Sequence, residues 1–300
     1  MATDVKELMA KVGKIRILTN RLIDDQLSGD YHSTFKGQGV EFDEVRPYEV
    51  GDDVRTIDWN VTARTGTPFI KRYSEERELT VLFMVDVSGS QGYGTAGRSK
   101  MQLSAELTAL LALTAIRNQD KIGLVLFSDR IVKYIPPRKG RDSVMRLVRE
   151  VLAAEDGAEG ATDFPEALKF LNGVQKRRAV VFLVSDFMLP KATQGTAVRL
   201  LSATARHHDV ICARVSDPAE SALPDVGLVE LEDPETGAIR LVDTSSPAVR
   251  KAFAEAAKEE GEALSHFLRR NGIDSIEVST ARPYIDSVRG LFKRRAMKRR

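Results

Sequence analysis

Oxygen-bearing side chains stand at three places in this sequence, each where an apolar stretch ends or a helix is expected to begin. Asp86, Ser88 and Ser90 form the first group, with one carboxylate and two hydroxyls at alternate positions around a glycine. Side chains at alternate positions of an extended loop point to the same side, so these three can converge on one ligand. Thr162 precedes a predicted helix, and Asp186 follows an apolar stretch. Together the five side chains make a candidate binding site.

The five side chains offer a ligand nothing but oxygen. Mg²⁺ prefers about six oxygen ligands and keeps several waters among them. Zinc would require cysteine or histidine, whereas this chain has one cysteine and four histidines that form no cluster in the sequence. The residues therefore predict a Mg²⁺ or Mn²⁺ site, with Ca²⁺ left open because it takes the same ligands. Since three of the five groups are neutral hydroxyls, the bound cation would accept a further carboxylate from outside.

The same residue types also have an ordinary structural role. Asp and Ser that follow strands commonly cap helices and form turns, and the Asp-x-Ser-x-Ser segment taken by itself does not distinguish the two interpretations. Thr162 and Asp186 fall where a shared cation site would need them. Their positions favour the cation site over capping.

The elements that would position these residues alternate between strands and helices. Apolar stretches predict buried strands at 79–87, 122–127, 179–185, 210–215 and 273–278. Helices are predicted at 100–117, 141–152, 164–174, 192–207 and 247–271, with edge pieces at 131–135 and 228–242. This alternation predicts an α/β fold, a doubly wound and mostly parallel sheet with helices on both faces. Ligands of such sheets bind beyond the carboxyl ends of the strands, which is where the five residues fall.

The ends of the chain differ from this central part. Residues 5–27 have apolar positions at spacings of three and four and predict one amphipathic helix. We expect a loop with short extended pieces over 28–53 and paired strands within 56–74. We divide the chain into 1–78, an N-terminal helix and extension docked on the main domain, 79–280, the α/β domain, and 281–300, a C-terminal helix and basic tail.

The candidate site resembles the metal-ion-dependent adhesion site of von Willebrand factor A domains. The resemblance covers about residues 79–278 and rests on Asp-x-Ser-x-Ser, Gly-x-Thr and Ser-Asp, each in its place around the strands. It implies that Ser88, Ser90 and Thr162 contact the metal directly, whereas the two aspartates act directly or through water. It also implies a protein partner that donates an Asp or Glu to the metal. Asp163 stands where that family often has Asn, which would weaken the binding of an acidic partner.

A segment nearer the N-terminus resembles the signature of the bacterial domain-of-unknown-function 58 family. The matching residues are Gly39-Val-Glu41-Phe42, Arg46-Pro-Tyr48-Glu-Val-Gly51-Asp52-Asp53-Val-Arg55-Thr-Ile57-Asp58-Trp59 and Ala63-Arg64. Members of this family are typically encoded beside MoxR-type AAA+ ATPases, and the chain resembles the short kind without membrane helices. The resemblance implies an adaptor that acts with such an ATPase in maturing or regulating another protein or complex.

The charged residues of this signature have two possible roles. Glu41, Asp52, Asp53 and Asp58 could hold a second cation. They could equally pair with Arg46, Arg55 and Arg64 in a buried or half-buried network around Trp59 that docks the segment on the sheet. The alternation of acids and arginines favours the ion-pair network.

The charge distribution bears on a third kind of function. The formal net charge is +2, and residues 289–300 contain seven Lys or Arg and no acid. We expect this tail to be frayed and solvated, and the alternative is that it binds nucleic acid or an anionic surface. With 42% hydrophobic and 29% charged residues the composition is that of an ordinary globular protein.

An enzyme remains the alternative to an adaptor. A Mg²⁺-dependent phosphatase or nucleotide hydrolase could use the same cation, but the sequence has no phosphate-binding Gly-x-x-x-x-Gly-Lys-Ser/Thr loop. No Ser-His-Asp arrangement is evident, and His207 and His208 are expected to end a helix. We expect a cytoplasmic protein without an enzymatic activity, since there is no secretory signal, no apolar stretch long enough to span a membrane, and a single cysteine, Cys212, in an apolar stretch.

Overall fold

The computed structural model of the protein describes residues 5–23, 25–35, 41–74, 78–154, 160–188, 191–232 and 238–298. Its strands are β1 (Glu41–Pro47), β2 (Phe69–Ser74), β3 (Thr80–Asp86), β4 (Lys121–Phe127), β5 (Ile131–Arg138), β6 (Val180–Ser185), β7 (Asp209–Ser216), β8 (Leu228–Glu232), β9 (Ile239–Asp243) and β10 (Asp274–Ser279). Its helices are α1 (Val5–Leu22), α2 (Asp25–Phe35), α3 (Trp59–Thr65), α4 (Lys100–Arg117), α5 (Arg141–Ala153), α6 (Phe164–Val174), α7 (Lys191–His207), α8 (Pro247–Arg270) and α9 (Ile285–Lys298).

A six-stranded sheet in the order β10-β7-β6-β3-β4-β5 forms the centre of the fold. Neighbouring strands are parallel from β10 to β4, and β5 is antiparallel at the edge. In β3, Val81, Phe83 and Val85 pack into one core cluster, whereas Leu82 and Met84 pack into the other. A strand that is apolar at every position is therefore covered on both of its faces, as its sequence predicted.

Helices cover both faces of this sheet. Apolar residues of α1, α2, α4, α5 and α9 lie in one core cluster, and those of α6, α7 and α8 lie in the other. This arrangement confirms the predicted α/β class, a mostly parallel sheet with helices on both faces.

The direction of strand addition reverses at β3. The chain runs from β3 to β4 on one side of it and later places β6 on the other side. Loops that leave β3 and β6 then diverge to opposite faces, and the carboxyl edge at such a reversal is where open α/β sheets bind ligands. Asp86 ends β3 and Asp186 directly follows β6, so two of the predicted site residues lie at this reversal.

The N-terminal region differs from the sequence prediction. The single helix expected over 5–27 is two helices, and α2 replaces the first part of the predicted loop. Leu27, Tyr31 and Phe35 recur every four residues along α2 and are all buried. Their period is the signal of a helix, but Gly29 and the polar residues around it concealed that signal. The Tyr31 ring packs edge-on against Phe292 of α9, with 5.7 Å between the ring centroids.

The segment 41–74 contains the paired strands that were expected and one helix that was not. β1 and β2 form an antiparallel two-stranded sheet, and α3 lies between them in the sequence. The Asp58 carboxylate caps α3 by accepting hydrogen bonds from the backbone N–H groups of Asn60 (2.9 Å) and Val61 (3.2 Å). Seven residues with one good cap are too short for a helical period to stand out in the sequence.

The C-terminal region is a packed helix, and the prediction of a frayed tail is wrong for residues 289–298. Val288, Leu291 and Phe292 of α9 are buried in the core. Arg295 is also buried and forms ion pairs with Asp209 at the start of β7 and Asp274 at the start of β10. Basic residues that look like a solvated tail in the sequence therefore hold a helix on the sheet.

The last predicted elements are close to those observed. The hairpin expected at 228–242 is present, but β8 and β9 form their own two-stranded sheet and do not extend the central one. Its predicted turn, residues 234–237, lies outside the described residues. α8 begins at Pro247, as predicted, and Gly272 follows it with a φ of 67°. None of the described helices is both long enough and apolar enough to cross a membrane.

Candidate functional site

The loop that leaves β3 holds three of the predicted ligands. Asp86 ends the strand, and its Oδ1 atom accepts a hydrogen bond from the Ser88 backbone N–H at 3.0 Å. A short 3-10 turn, Gly89–Gly92, follows. It brings the Ser90 hydroxyl to 3.3 Å from the Ser88 hydroxyl. The alternation of Asp, Ser and Ser therefore places the three oxygens on one side of the loop, as predicted.

Thr162 is brought to this loop by a backbone contact. The Gly89 N–H donates to the Gly160 carbonyl at 3.2 Å. The Thr162 hydroxyl then donates to Asp86 Oδ2 at 3.3 Å. Asp163, the residue expected to add charge to the site, instead caps α6 by accepting the Glu166 N–H at 2.9 Å.

Asp186 completes the group from the loop after β6. Its Oδ2 atom accepts the Ser90 hydroxyl at 2.8 Å, and its Oδ1 atom accepts the Met188 N–H at 3.1 Å. The neighbouring Ser185 hydroxyl donates to Asp86 Oδ2 at 2.7 Å. Phe187 adopts a left-handed conformation with a φ of 60°, which turns the chain sharply after the aspartate. The structure thus brings all five predicted residues together, and all five are buried.

The two carboxylates are compensated unequally. Burial raises the pKa of Asp86 to about 7, and the negative charge of Asp186 adds to the effect. The donors around Asp86 are the Ser88 N–H and hydroxyl and the hydroxyls of Ser185 and Thr162, all of them neutral. A buried carboxylate without a cationic partner favours either a proton or a cation. Asp86 is therefore the carboxylate of the site whose negative charge has no cationic partner among the described residues.

Asp186, in contrast, has a lysine that the sequence analysis did not identify. Lys100 Nζ lies 2.7 Å from Asp186 Oδ2 and also forms an ion pair with Glu220. Burial alone would lower the pKa of Lys100, but the charges of Asp186 and Glu220 outweigh it and hold that pKa above its ordinary value. The ammonium is therefore charged although only 1% of the side chain is exposed. A lysine directly after the cap residue Ser99, at the positive end of α4, was the signal that could have identified it.

Gln91 is a second residue that sequence reasoning missed. Its Nε2 group donates to Asp186 Oδ2 at 2.9 Å. Its Oε1 atom is buried and has no hydrogen-bond partner within the described part of the chain. A buried acceptor without a donor is costly, and a water held on a cation at this site would supply one.

Two further carboxylates fix the rim of the site. Asp217 accepts hydrogen bonds from the Thr95 N–H (2.8 Å) and hydroxyl (2.5 Å) and from the Thr280 hydroxyl (2.6 Å). Burial by itself would raise the pKa of Asp217, but these donors lower it to about 2. Glu220 accepts the Asp217 N–H at 2.9 Å. The loop before α4 is thereby tied to the ends of β7 and β10.

The donor set fits an oxygen-bound divalent cation. Two carboxylates, three hydroxyls and a buried amide oxygen are of the kind that Mg²⁺ and Mn²⁺ take. Among the described residues, no group of three or more His, Cys, Asp and Glu side chains is placed to hold a metal. A cation at this site would therefore depend on hydroxyls.

The acids of the signature segment that the structure describes form ion pairs and cap turns, and they do not gather into a second cation site. Asp52 pairs with Arg46 at 2.7 Å, Asp58 pairs with Lys71 at 3.4 Å, and Asp53 accepts the Arg55 N–H at 2.9 Å. These acids cap turns and form ion pairs, and the Glu41 side chain lies outside what the structure describes. The Arg46–Asp52 and Lys71–Asp58 ion pairs are half-buried, in line with the half-buried network that was expected. Trp59 is 70% exposed, so it is not the buried centre of such a network. The docking of this segment on the main domain stays a prediction.

Comparisons with known proteins agree with the signature. The family model described as "Protein of unknown function DUF58" matches residues 44–263. An uncharacterized protein of Mycobacterium tuberculosis is 31% identical over 296 residues, which cover 97% of this chain and 91% of that protein.

Among solved structures, the conserved hypothetical protein BatB from Bacteroides thetaiotaomicron is similar with a TM-score of 0.48 and 16% identity, over 73% of this chain and 99% of that one. The SpRpn10 von Willebrand factor A domain gives a TM-score of 0.37 and 10% identity, over 71% and 94%. The family match and the relative together show that this chain belongs to the DUF58 family, whose function is unknown.

Proposed function

We propose that the protein is an adaptor that binds another protein through a divalent cation, Mg²⁺ or Mn²⁺, held by the five residues of the candidate site. The observation that supports this most directly is the convergence of five oxygen-bearing side chains from three separate loops at the carboxyl edge of the sheet. Asp86 adds to it, since burial and Asp186 raise its pKa to about 7. A divalent cation would relieve the repulsion between these two carboxylates.

The partner that suits such a site carries an exposed Asp or Glu. Hydroxyl ligands leave the charge of a cation largely uncompensated, so an incoming carboxylate would complete both its coordination and its charge. The family resemblance further suggests that a MoxR-type AAA+ ATPase acts with this chain on another protein or complex. The ATPase partner is supported by the family resemblance alone, whereas the binding of a partner's Asp or Glu is supported by the hydroxyl-rich ligand set of the site.

An adaptor suits the site better than a hydrolase does. His207 ends α7 and His208 directly precedes β7, so both lie at the opposite edge of the sheet from the site. Burial and the neighbouring His207 lower the pKa of His208 to about 4, and its ring accepts the Ala179 N–H at 3.3 Å. These two histidines therefore have a structural role at a strand end, away from the five ligands.

The test is a calorimetric titration of the purified protein with Mg²⁺ and with Mn²⁺. We expect the wild type to bind one equivalent and the Ser88→Ala/Ser90→Ala variant to bind none. Thr114→Val is the matched control, because it removes a buried hydroxyl that bonds only to Leu110 O, at the far end of α4. Equal binding by the wild type and the double variant would contradict the proposed ligands.

A second experiment tests the partner. A MoxR-type AAA+ ATPase is captured on the immobilised protein with Mg²⁺ and again with a chelator. We expect retention only with the metal and only on the wild type. Retention that is indifferent to both would leave an adaptor that does not depend on the cation. Turnover of a phosphate ester by the wild type, lost in the double variant, would instead favour the hydrolase.

A further inference from the structure

Lys100 has a position that local structure does not explain. It is the first residue of α4, directly after the cap residue Ser99, where the helix dipole disfavours a cation. It is also buried, and a buried ammonium is costly unless it is paired. Both costs are offset only by carboxylates from other parts of the fold, Asp186 after β6 and Glu220 after β7.

The ammonium lies on an atom that the candidate cation site also needs. Asp186 Oδ2 accepts Lys100 Nζ at 2.7 Å, the Ser90 hydroxyl at 2.8 Å and Gln91 Nε2 at 2.9 Å. Three donors, one of them charged, saturate this oxygen. A divalent cation at coordination distance from the same oxygen would stand within a few ångströms of the ammonium and repel it strongly, because the buried site screens charge poorly.

Glu220 offers the ammonium a second acceptor on the far side. One of its carboxylate oxygens contacts Lys100 Nζ, and the other accepts the Asp217 N–H at 2.9 Å. Because Asp217 is itself held by Thr95 and Thr280, Glu220 is fixed in place. Lys100 can therefore give up Asp186 and keep one anionic partner.

We propose that Lys100 is a tethered competitor of the divalent cation. Its ammonium neutralises Asp186 when no metal is bound, and metal binding requires the ammonium to leave Asp186 for Glu220. This inference rests on the proposed metal-dependent function and concerns how the chain regulates that site. It implies that the lysine sets the metal affinity below what the oxygen ligands alone would give.

The test is the affinity for Mn²⁺, measured by calorimetry and by electron paramagnetic resonance, of wild type and Lys100→Met. We expect Lys100→Met to bind Mn²⁺ more tightly, on the order of tenfold, the size of a typical coupling between two exclusive ligands. Lys121→Met is the matched control, since it removes the same charge from a half-exposed lysine that pairs with Glu78 at 3.0 Å, at the opposite end of the sheet. The control should bind as the wild type does.

If Lys100 had a purely structural role, Lys100→Met would not increase the affinity for Mn²⁺. Removing a structural ion pair loosens the loop after β6, so Mn²⁺ would bind equally or more weakly. Equal or weaker binding by a folded Lys100→Met protein overturns the inference. If wild type and variant bind Mn²⁺ equally, the metal-dependent adaptor stands and only the role of Lys100 fails. If neither binds, both proposals fail.

A measurement on the wild type covers the case in which Lys100→Met does not fold. The ¹⁵N resonance of a buried, paired lysine ammonium is observable and is assigned by its loss in Lys100→Arg. We expect this resonance to shift as Mg²⁺ is added and to saturate with metal binding. A resonance that does not move while Mg²⁺ binds overturns the inference.

Discussion

Replacing Arg295 tests how strongly the basic C-terminal helix α9 is bound to the central sheet. Its guanidinium is buried and forms ion pairs with Asp209 and, at 3.0 Å, with Asp274. It also lies over the ring of Phe35, 4.9 Å from the centroid. Replacing it with alanine leaves two carboxylates facing a cavity. The change thus tests whether α9 is part of the core or a loosely attached tail.

The expected loss of stability follows from these contacts. Removing one partner of a buried ion pair costs about 3–5 kcal/mol. Asp209 and Asp274 are each 19% exposed and can be partly rehydrated, and Lys298 remains 2.7 Å from Asp274, so the cost is smaller here. The lost contact with the ring adds about 0.5–1 kcal/mol. We therefore expect Arg295→Ala to lower the free energy of unfolding by about 2–4 kcal/mol.

Urea denaturation followed by circular dichroism measures this loss as a lower midpoint at an unchanged slope. Arg294→Ala is the control, since that neighbouring arginine is exposed and should change stability by about 0.5 kcal/mol or less. Arg295→Lys keeps the charge but loses the two-armed geometry, so its stability should be intermediate. Equal midpoints for the two alanine variants would refute the packing of α9 described above.

Three further predictions concern a carboxylate, a glycine and the cation. Burial raises the pKa of Asp120 to about 6 in the folded protein. The protonated carboxyl therefore stabilises the fold below the pKa that Asp120 has in the unfolded chain, and this stabilisation is lost as the pH rises through 6. Between pH 4 and 7 the unfolding free energy of the wild type should fall by about 2–3 kcal/mol relative to Asp120→Asn. A Cβ atom at Gly94 would lie 2.1 Å from the Arg98 carbonyl oxygen, whereas one at Gly92 would have no neighbour within 4 Å. Gly94→Ala should therefore lower the free energy of unfolding by about 1–3 kcal/mol and reduce the melting temperature. Gly92→Ala is the control and should leave the melting temperature unchanged. Mg²⁺ at a hundredfold excess over its dissociation constant should raise the unfolding free energy of the wild type by about 2.7 kcal/mol, and no such rise is expected for the variant lacking the Ser88 and Ser90 hydroxyls.

The sheet could be predicted because its signals are local and continuous. Every residue from Val81 to Val85 is apolar and buried, so neither the strand nor its coverage on both faces needed information from elsewhere in the chain. α2 was missed because Leu27, Tyr31 and Phe35 are separated by polar residues and glycine. Its stability depends on α9, more than 250 residues later, through contacts such as the 3.0 Å hydrogen bond from Thr34 to the Phe292 carbonyl.

The candidate site likewise contains residues that local sequence predicts and residues that only distant contacts reveal. Asp86, Ser88 and Ser90 are close in the sequence, and the rule on strand ends located Asp186 and indicated Thr162. Lys100 was missed because its partners, Asp186 and Glu220, are 86 and 120 residues away. A lysine at the positive end of a helix is unusual enough to draw attention to Lys100, but it does not identify the carboxylates that pair with it. A cation that offsets a carboxylate through tertiary contacts becomes visible only in the structure.

The two carboxylates of the candidate site differ in how their negative charge is balanced, and this difference indicates which of them would attract a metal ion. Asp186 has an ammonium and is satisfied, whereas Asp86 has only neutral donors and a pKa raised to about 7 by burial and by Asp186. Positive charge is thus already supplied at one end of the site and is missing at the other. Ser88 and Thr162, whose side chains contact Asp86, would hold a cation together with that carboxylate. Lys100 would keep Glu220 as its partner if it gave up Asp186, and Glu220 is bound to the Asp217 N–H.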